Sequence, residues 1–148
     1  PMAIAPIVYK GATENSKEID LFQNALIPYG NTFTDAFITA PSPGIVATAI
    51  KNNYYLNDDE YLDALADAMK VEYKSAVDAG FILQIEAPDL GLERHTLFHD
   101  RPLRDFVRFV DKVVVRINKK LGGLPRDRVR LHVCYGNYGS PTRQRCAA

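Results

Sequence analysis

Two short stretches of the sequence alternate apolar and polar side chains, and each follows a long amphipathic stretch. The alternating stretches are residues 81–86 and 129–134. Successive side chains of a strand point to opposite faces, so this alternation predicts two strands with one buried face each. The amphipathic stretches repeat apolar residues every three or four positions, which predicts helices. Strands joined through helices run parallel, so the chain is expected to form an α/β fold with a parallel sheet.

Capping residues indicate where the predicted helices begin. Thr13 or Asn15 is a candidate cap for a first helix. Ser42 followed by Pro43 predicts the start of a short second helix, and Asn57 predicts the cap of a long third one. A fourth helix is predicted to begin near residue 102. Apolar residues recur at helical spacing in three of these helices: Ile19, Phe22 and Leu26 in the first; Leu62, Leu65, Met69, Tyr73 and Ala76 in the third; Phe106, Val110, Val113 and Ile117 in the fourth.

Two earlier apolar runs complete the predicted order βαβαβαβ. Residues 3–9 and 34–40 are expected to be strands, since each is apolar and is followed by glycine or proline. Residues 90–99 are polar and are predicted to be a loop, with His95 and His99 at the surface.

The two alternating strands each combine an apolar face with a polar one. The apolar residues are Phe81, Leu83, Ile85, Val129, Leu131 and Val133, and the polar ones are Gln84, Glu86, Arg130, His132 and Cys134. An open sheet covered on both sides favours apolar residues on both faces, whereas polar inner faces suit a barrel with its chemistry at the carboxyl ends of the strands. A closed barrel of eight units needs ~250 residues, so about four units predict a partial (β/α) barrel.

His132 and Cys134 lie two positions apart at the end of the last predicted strand. They share one face, so both can bind one metal ion, and imidazole with thiolate suits zinc. A zinc site needs a third and usually a fourth ligand, which this pair alone does not supply. The alternative is a core histidine beside a buried cysteine.

Composition excludes several classes of protein. The chain has 148 residues, 47% of them hydrophobic and 24% charged, with zero formal net charge, which is ordinary for a globular domain. Neutral charge argues against a nucleic-acid partner, and no apolar run approaches the ~20 residues of a membrane span. Two cysteines without a disulfide framework and no visible signal peptide favour a cytoplasmic location.

Four motifs resemble the cobalamin-independent methionine synthases, more closely their single-barrel relatives. They are residues 41–44 with 53–55, residues 72–73 with 78–80, the strand Leu-Gln-Ile-Glu-Ala-Pro-Asp at 83–89, and His-Val-Cys at 132–134 followed by Tyr-Gly-Asn. The resemblance covers residues 1–141, which are assigned to the partial barrel. Residues 142–148 diverge and form a separate tail, so Cys146 is not assigned as a ligand.

The resemblance implies a TIM-type barrel that binds zinc and transfers a methyl group from methyl-tetrahydrofolate to a zinc-activated thiol such as homocysteine. It implies that His132 and Cys134 are zinc ligands and that Glu86 holds the substrate and is the catalytic candidate. Gln84 and Asp89 are further substrate-binding candidates. From the residues alone, Glu86 can instead pair with Arg130, Gln84 can be a spacer, and Asp89 can cap a turn.

Two alternatives to methionine synthesis stay open. One is a zinc-dependent alkyltransferase with another thiol, of the coenzyme M type. The other is a non-catalytic half-barrel, because an incomplete barrel leaves two unpaired strand edges. We expect such a chain to self-associate, most simply as a two-fold dimer in which the halves complete each other.

Overall fold

The computed structural model describes residues 1–134 as parallel strands alternating with helices. The strands are β1 (Met2–Ala3), β2 (Phe37–Pro41), β3 (Lys51–Asn52), β4 (Ile82–Glu86) and β5 (Val129–His132). The helices are α1 (Ala12–Leu26), α2 (Pro43–Ala49), α3 (Asp58–Asp78) and α4 (Leu103–Lys120). Short 3-10 turns occupy Ile27–Tyr29, Pro88–Leu90, Leu92–Arg94 and Arg126–Arg128.

Three strands form one parallel sheet in the order β2-β4-β5, and β1 pairs with β3 in a second, two-stranded sheet. Gln84 lies between Thr39 and Arg130, while Glu86 lies opposite His132. The sheets do not close into a barrel within residues 1–134. The partial barrel therefore stays a prediction, whereas the parallel α/β arrangement is what the structure has.

The predicted caps of α2 and α3 are confirmed. The Ser42 hydroxyl accepts from the Ile45 amide at 3.0 Å, and the Asn57 side chain accepts from the Glu60 amide at 2.9 Å. Each cap satisfies an amide that has no partner inside its helix. Gly80, at φ +88°, lets the chain turn from α3 into β4.

The predicted cap of α1 is wrong. The helix begins after Gly11, without a side-chain cap. The Asn15 side chain instead donates to the Ser75 hydroxyl and links α1 to α3. A long-range contact has replaced the local one that the sequence favoured.

The first predicted strand, residues 3–9, is also mostly wrong. Only Met2–Ala3 pairs, and its partner β3 was not predicted. Pro6 has no amide to donate, and the Ile7 amide donates to the Tyr55 hydroxyl at 2.8 Å rather than to a strand. A side-chain acceptor therefore replaces sheet pairing in this segment.

The hydrophobic core lies between α3, α4 and one face of the three-stranded sheet. Leu83 and Ile85 of β4 are almost fully buried there, against Tyr73 of α3 and Val113 of α4. On the same face of β5, Leu131 remains 49% exposed. The predicted apolar face is thus covered over β4 and less so over β5.

A row of ion pairs joins α3 to α4 outside this core. The pairs are Lys112 with Asp59, Arg116 with Asp59 and Asp63, and Lys120 with Asp67. The acids and the bases each recur every four residues, so both rows run along one helix face. We call this set the helix ladder.

Further predictions concern the loop histidines and the end of the chain. His95 and His99 are exposed, as predicted. The helices described in residues 1–134 are all too short or too polar to cross a membrane. The Tyr-Gly-Asn turn at 135–137, the tail at 142–148 and Cys146 lie outside the described residues.

Candidate functional site

The polar side chains of β4 and β5 lie together on the face of the sheet opposite the core. Gln84 and Arg130 are neighbours in register, and so are Glu86 and His132. The side chains of His132 and Glu86 are 50% and 32% exposed. We call this side the open face, because its groups remain accessible.

Hydrogen bonds connect these four side chains in one chain, which we call the polar row. The Arg130 Nε donates to the Gln84 Oε1 at 2.7 Å. The Gln84 amide donates onward to the Glu86 Oε1 at 2.5 Å, and the His132 Nδ1 donates to the other oxygen of Glu86. The row therefore ends at the histidine, next to the strand's carboxyl end.

The aromatic ring of Phe37 supports the other end of the row. The Arg130 guanidinium carbon lies 4.0 Å from the centre of this ring, a stacked cation–π arrangement. The Arg130 side chain thereby extends from β5 over β4 to a residue of β2. The predicted pairing of Arg130 with Glu86 is replaced by a bond to Gln84, because the register sets Gln84 opposite Arg130.

The polar row keeps Glu86 ionised. The Gln84 amide, and next the His132 ring, hold the pKa of Glu86 below its ordinary value. An ionised carboxylate can only accept, so it fixes the proton of His132 on Nδ1. When the ring is neutral, the other nitrogen, Nε2, carries a lone pair, and neutral histidine is the form that binds a metal.

Two of the described residues are donors of the types that zinc accepts, whereas a zinc site needs about four ligands. His132 and Cys134 supply one imidazole and one thiol, and the Glu86 bond to His132 is the outer support that metal-binding histidines commonly have. Within residues 1–134, no cluster of three or more histidine, cysteine or carboxylate groups is placed to hold a metal. The donor types therefore fit half of a zinc site.

Asp89 is placed apart from the open face. It is fully buried beyond the end of β4, where its Oδ1 accepts from the Ser42 hydroxyl at 2.5 Å. Its Oδ2 has no hydrogen-bond partner among the described residues. Burial raises the pKa of Asp89 from 3.8 to about 6.

Gly44 makes room for the Asp89 carboxyl group. A Cβ atom at this position would lie 2.0 Å from the Asp89 Oδ2 and 2.7 Å from a methyl carbon of Val113. Asp89 therefore joins the end of β4 to the start of α2, in a place that solvent does not reach. Substrate binding by Asp89 stays a prediction.

Sequence reasoning missed two partners at these sites. The sequence predicts Phe37 only as part of a strand and Ser42 only as a helix cap. The register of β2, β4 and β5 brings Phe37 to Arg130, and the strand-to-helix turn brings Ser42 to Asp89. The Ser42–Pro43–Gly44 sequence was the available signal, since a glycine at the start of a helix indicates close packing.

Comparison with known proteins identifies distant relatives. The chain is 34% identical over 109 residues to the methionine synthase of Saccharolobus solfataricus, and 32% identical over the same length to that of Saccharolobus islandicus strain L.S.2.15. Each match covers 72% of this chain and 29% of the relative. The chain thus spans less than a third of these proteins' length. No protein-family model matches the chain, and no solved structure does.

Proposed function

We propose that the chain is part of a methyltransferase related to methionine synthase, and that His132 and Cys134 are two ligands of its zinc ion. The reaction would transfer a methyl group from methyl-tetrahydrofolate to a thiol such as homocysteine. The distant relatives named methionine synthase support the class of reaction. The observation that carries the zinc proposal is the bond from the His132 Nδ1 to Glu86.

The chain's own residues would prepare the ligands. Glu86 holds the His132 ring in one orientation and one tautomer, so its Nε2 is set for a metal. The Gln84 amide donates to Glu86, and the Arg130 side chain holds that amide by donating to its oxygen. A zinc ion held by these residues would supply positive charge that favours the thiolate, the reactive form of the substrate thiol.

Substrate contacts would lie on the open face near Glu86. Its side chain is partly exposed, although His132 and Gln84 occupy both its oxygens. A carboxylate oxygen has two lone pairs, so Glu86 can still accept from an amino group. This acceptor suits a thiol that carries an amino group, such as homocysteine, better than a thiol whose only charged group is anionic.

Zinc content tests this proposal. The purified chain is incubated with zinc, dialysed and analysed for metal, beside the variants His132→Ala, Cys134→Ala and His99→Ala. We expect wild type and His99→Ala to retain zinc, and both ligand variants to bind it more than about 100-fold more weakly, since even outer-shell changes reach that size. His99 is the matched control, because it is exposed and distant in sequence from the row. Wild-type protein without zinc contradicts the proposal.

We also propose that the chain self-associates. Within residues 1–134, β2 and β5 are the outer strands of their sheet, and Leu131 is half exposed beside one of those edges. A second copy related by a two-fold axis can pair the edge of β5 with that of β2, as in a closed barrel. Light scattering at micromolar concentration tests this: a dimer is expected, and a uniform monomer contradicts it.

A further inference from the structure

The segment that joins β4 to α4, residues 87–102, carries two buried acids, and we call it the β4–α4 segment. Asp89 is fully buried and Glu93 is 8% exposed. Each lies in one of the two 3-10 turns of the segment. An ionised carboxylate in the interior costs free energy unless hydrogen-bond donors or a cation compensate it. The two acids differ in this compensation.

Glu93 is compensated by donors of its own segment, whereas Asp89 is not. The Glu93 Oε2 accepts from the Leu97 amide at 3.3 Å and also from the hydroxyl of Thr96. Asp89 accepts from the Ser42 hydroxyl through Oδ1, while its Oδ2 has no hydrogen-bond partner in the part of the chain that the structure describes. An ionised Asp89 therefore has little to replace the water that it loses on burial.

The titratable groups near Asp89 supply no positive charge within residues 1–134. In its own segment the charged neighbour is Glu93, which is also acidic. From α3 the neighbour is Tyr73, whose hydroxyl donates to the Pro41 carbonyl at 2.7 Å. Helix α2 has no titratable side chain. The closest groups are thus acidic, neutral or apolar.

The charged groups of α4 and β4 are engaged elsewhere. On α4, Lys112 and Arg116 lie on either side of Val113 in the sequence, and both pair with acids of α3 in the helix ladder. In β4, Glu86 is bonded within the polar row on the open face. The closed structure therefore favours a protonated Asp89, in agreement with the pKa of about 6 to which burial raises it.

The backbone of the β4–α4 segment bonds mainly to itself. Between residues 88 and 101, its hydrogen bonds to other backbone groups of the described chain are turns within the segment. Phe98 packs on Phe109 and fixes the second half, whereas the bond from Ser42 to Asp89 joins the first half to α2. Such a segment can open without the loss of a strand or helix, at a lower cost than unfolding of the whole chain.

We propose that the first half of the β4–α4 segment, residues 88–95, opens when Asp89 ionises and closes when Asp89 is protonated. In the closed form the carboxyl group is buried beside Ser42. In the open form the carboxylate is in water, where its ionisation carries no burial cost. Because the closed form binds the proton more tightly, opening increases as pH rises from the ordinary pKa of 3.8 to the folded pKa of about 6.

Hydrogen–deuterium exchange with mass spectrometry tests the proposal on the full chain. Wild type, Asp89→Asn and Glu93→Gln are compared at about pH 4 and about pH 7, and each exchange rate is divided by the intrinsic rate at that pH. Asparagine keeps an acceptor for Ser42 but cannot ionise. Glu93→Gln is the matched control, because it neutralises the other buried acid of the same segment. Circular dichroism verifies that each protein is folded at both pH values.

In wild type, protection of residues 88–95 should fall at least about tenfold between the two pH values, since two pKa units correspond to about 100-fold. Glu93→Gln should show a fall of similar size, and Asp89→Asn a fall below about threefold. Helix α1, which is bonded to α3 through Asn15 and Ser75, should show no such fall in wild type.

Three results would overturn the proposal. If wild type shows no fall, the segment does not open with pH. If wild type and Asp89→Asn fall equally, another group controls the segment. If α1 falls as much as residues 88–95, the whole chain loses stability and the opening is not local. The comparison with α1 needs wild type alone, so it decides the question even where a variant does not fold.

Discussion

The two faces of the β2-β4-β5 sheet are built from alternate residues of the same strands, and they differ in almost every physical property. On the core side, Leu83 and Ile85 are buried against helices. On the open face, Gln84 and Glu86 are partly exposed and are bonded to Arg130 and His132. Alternate residues of β4 therefore have different roles. Those on the core side stabilise the fold, and those on the open face arrange hydrogen-bond donors and acceptors.

Charged groups show the same division. The helix ladder uses Asp59 and Arg116 in direct ion pairs between two helices, and Arg116 is largely buried. The polar row instead uses a neutral amide between Arg130 and Glu86 and ends at a titratable ring. Direct ion pairs between two helices hold those helices together, whereas the hydrogen bonds of the polar row fix the orientation of the His132 ring. We expect substitutions on the two sides to affect different measurements.

Leu83→Ala should have the largest effect on stability. Leu83 is fully buried, so its truncation leaves a cavity and should lower the free energy of unfolding by about 3 kcal/mol. Gln84→Ala is the matched control, one position away on the open face, and should lower it by less than about 1 kcal/mol. Urea unfolding of both variants measures the difference; equal losses would contradict the division between the faces.

Asp89→Asn, on the core side, should remove a pH dependence of the free energy of unfolding. The folded pKa of about 6 lies above the ordinary 3.8. The folded state therefore binds more protons than the unfolded state between these values, and its stability falls as pH rises through that window. The full difference is up to about 3 kcal/mol, reached above about pH 6.

Asparagine keeps an acceptor for the Ser42 hydroxyl but cannot ionise, so the variant should gain stability relative to wild type as pH rises. Urea unfolding at about pH 4 and about pH 7 measures the change in this difference. Parallel stability profiles for the two proteins would show that the Asp89 carboxyl does not titrate differently on folding.

Glu86→Gln should weaken zinc binding by about tenfold to about 100-fold, with little change in stability. The amide is a poorer acceptor than the carboxylate and no longer fixes the tautomer of His132. Competition with a chromophoric chelator measures the affinity. An unchanged affinity would separate Glu86 from the metal site and leave the polar row with a structural role.

Arg130→Lys should have the smallest effect. Lysine keeps the charge but loses the planar group that lies on Phe37 and donates to Gln84. We expect a loss of zinc affinity below about threefold and a loss of stability below about 1 kcal/mol, the size of an exposed cation–π contact. A larger loss of stability than in Leu83→Ala would contradict the claim that the core side, rather than the open face, stabilises the fold.

The features that the sequence predicted well depend on local rules. The caps Ser42 and Asn57 act on amides three residues away, and the alternation in β4 correctly assigns Leu83 to the buried side. These properties are set by residues close together in the chain, so a single sequence contains them.

The features that it missed depend on contacts between distant segments. Asn15 bonds Ser75 rather than capping its own helix, and the Ile7 amide bonds Tyr55. The order of partners in the polar row follows from the register of β4 and β5, which alternation alone does not set. Residue types therefore indicate only a candidate site, and the structure was needed to show which groups contact one another.

X-ray absorption at the zinc edge of the zinc-loaded chain tests the central claim most directly, because it identifies the atoms bound to the metal. We predict a sulfur ligand at about 2.3 Å and an imidazole nitrogen at about 2.0–2.1 Å. The sulfur signal should disappear in Cys134→Ala, and the imidazole signal should disappear in His132→Ala. A shell of oxygen atoms alone, identical in wild type and both variants, would contradict the assignment of His132 and Cys134 as zinc ligands.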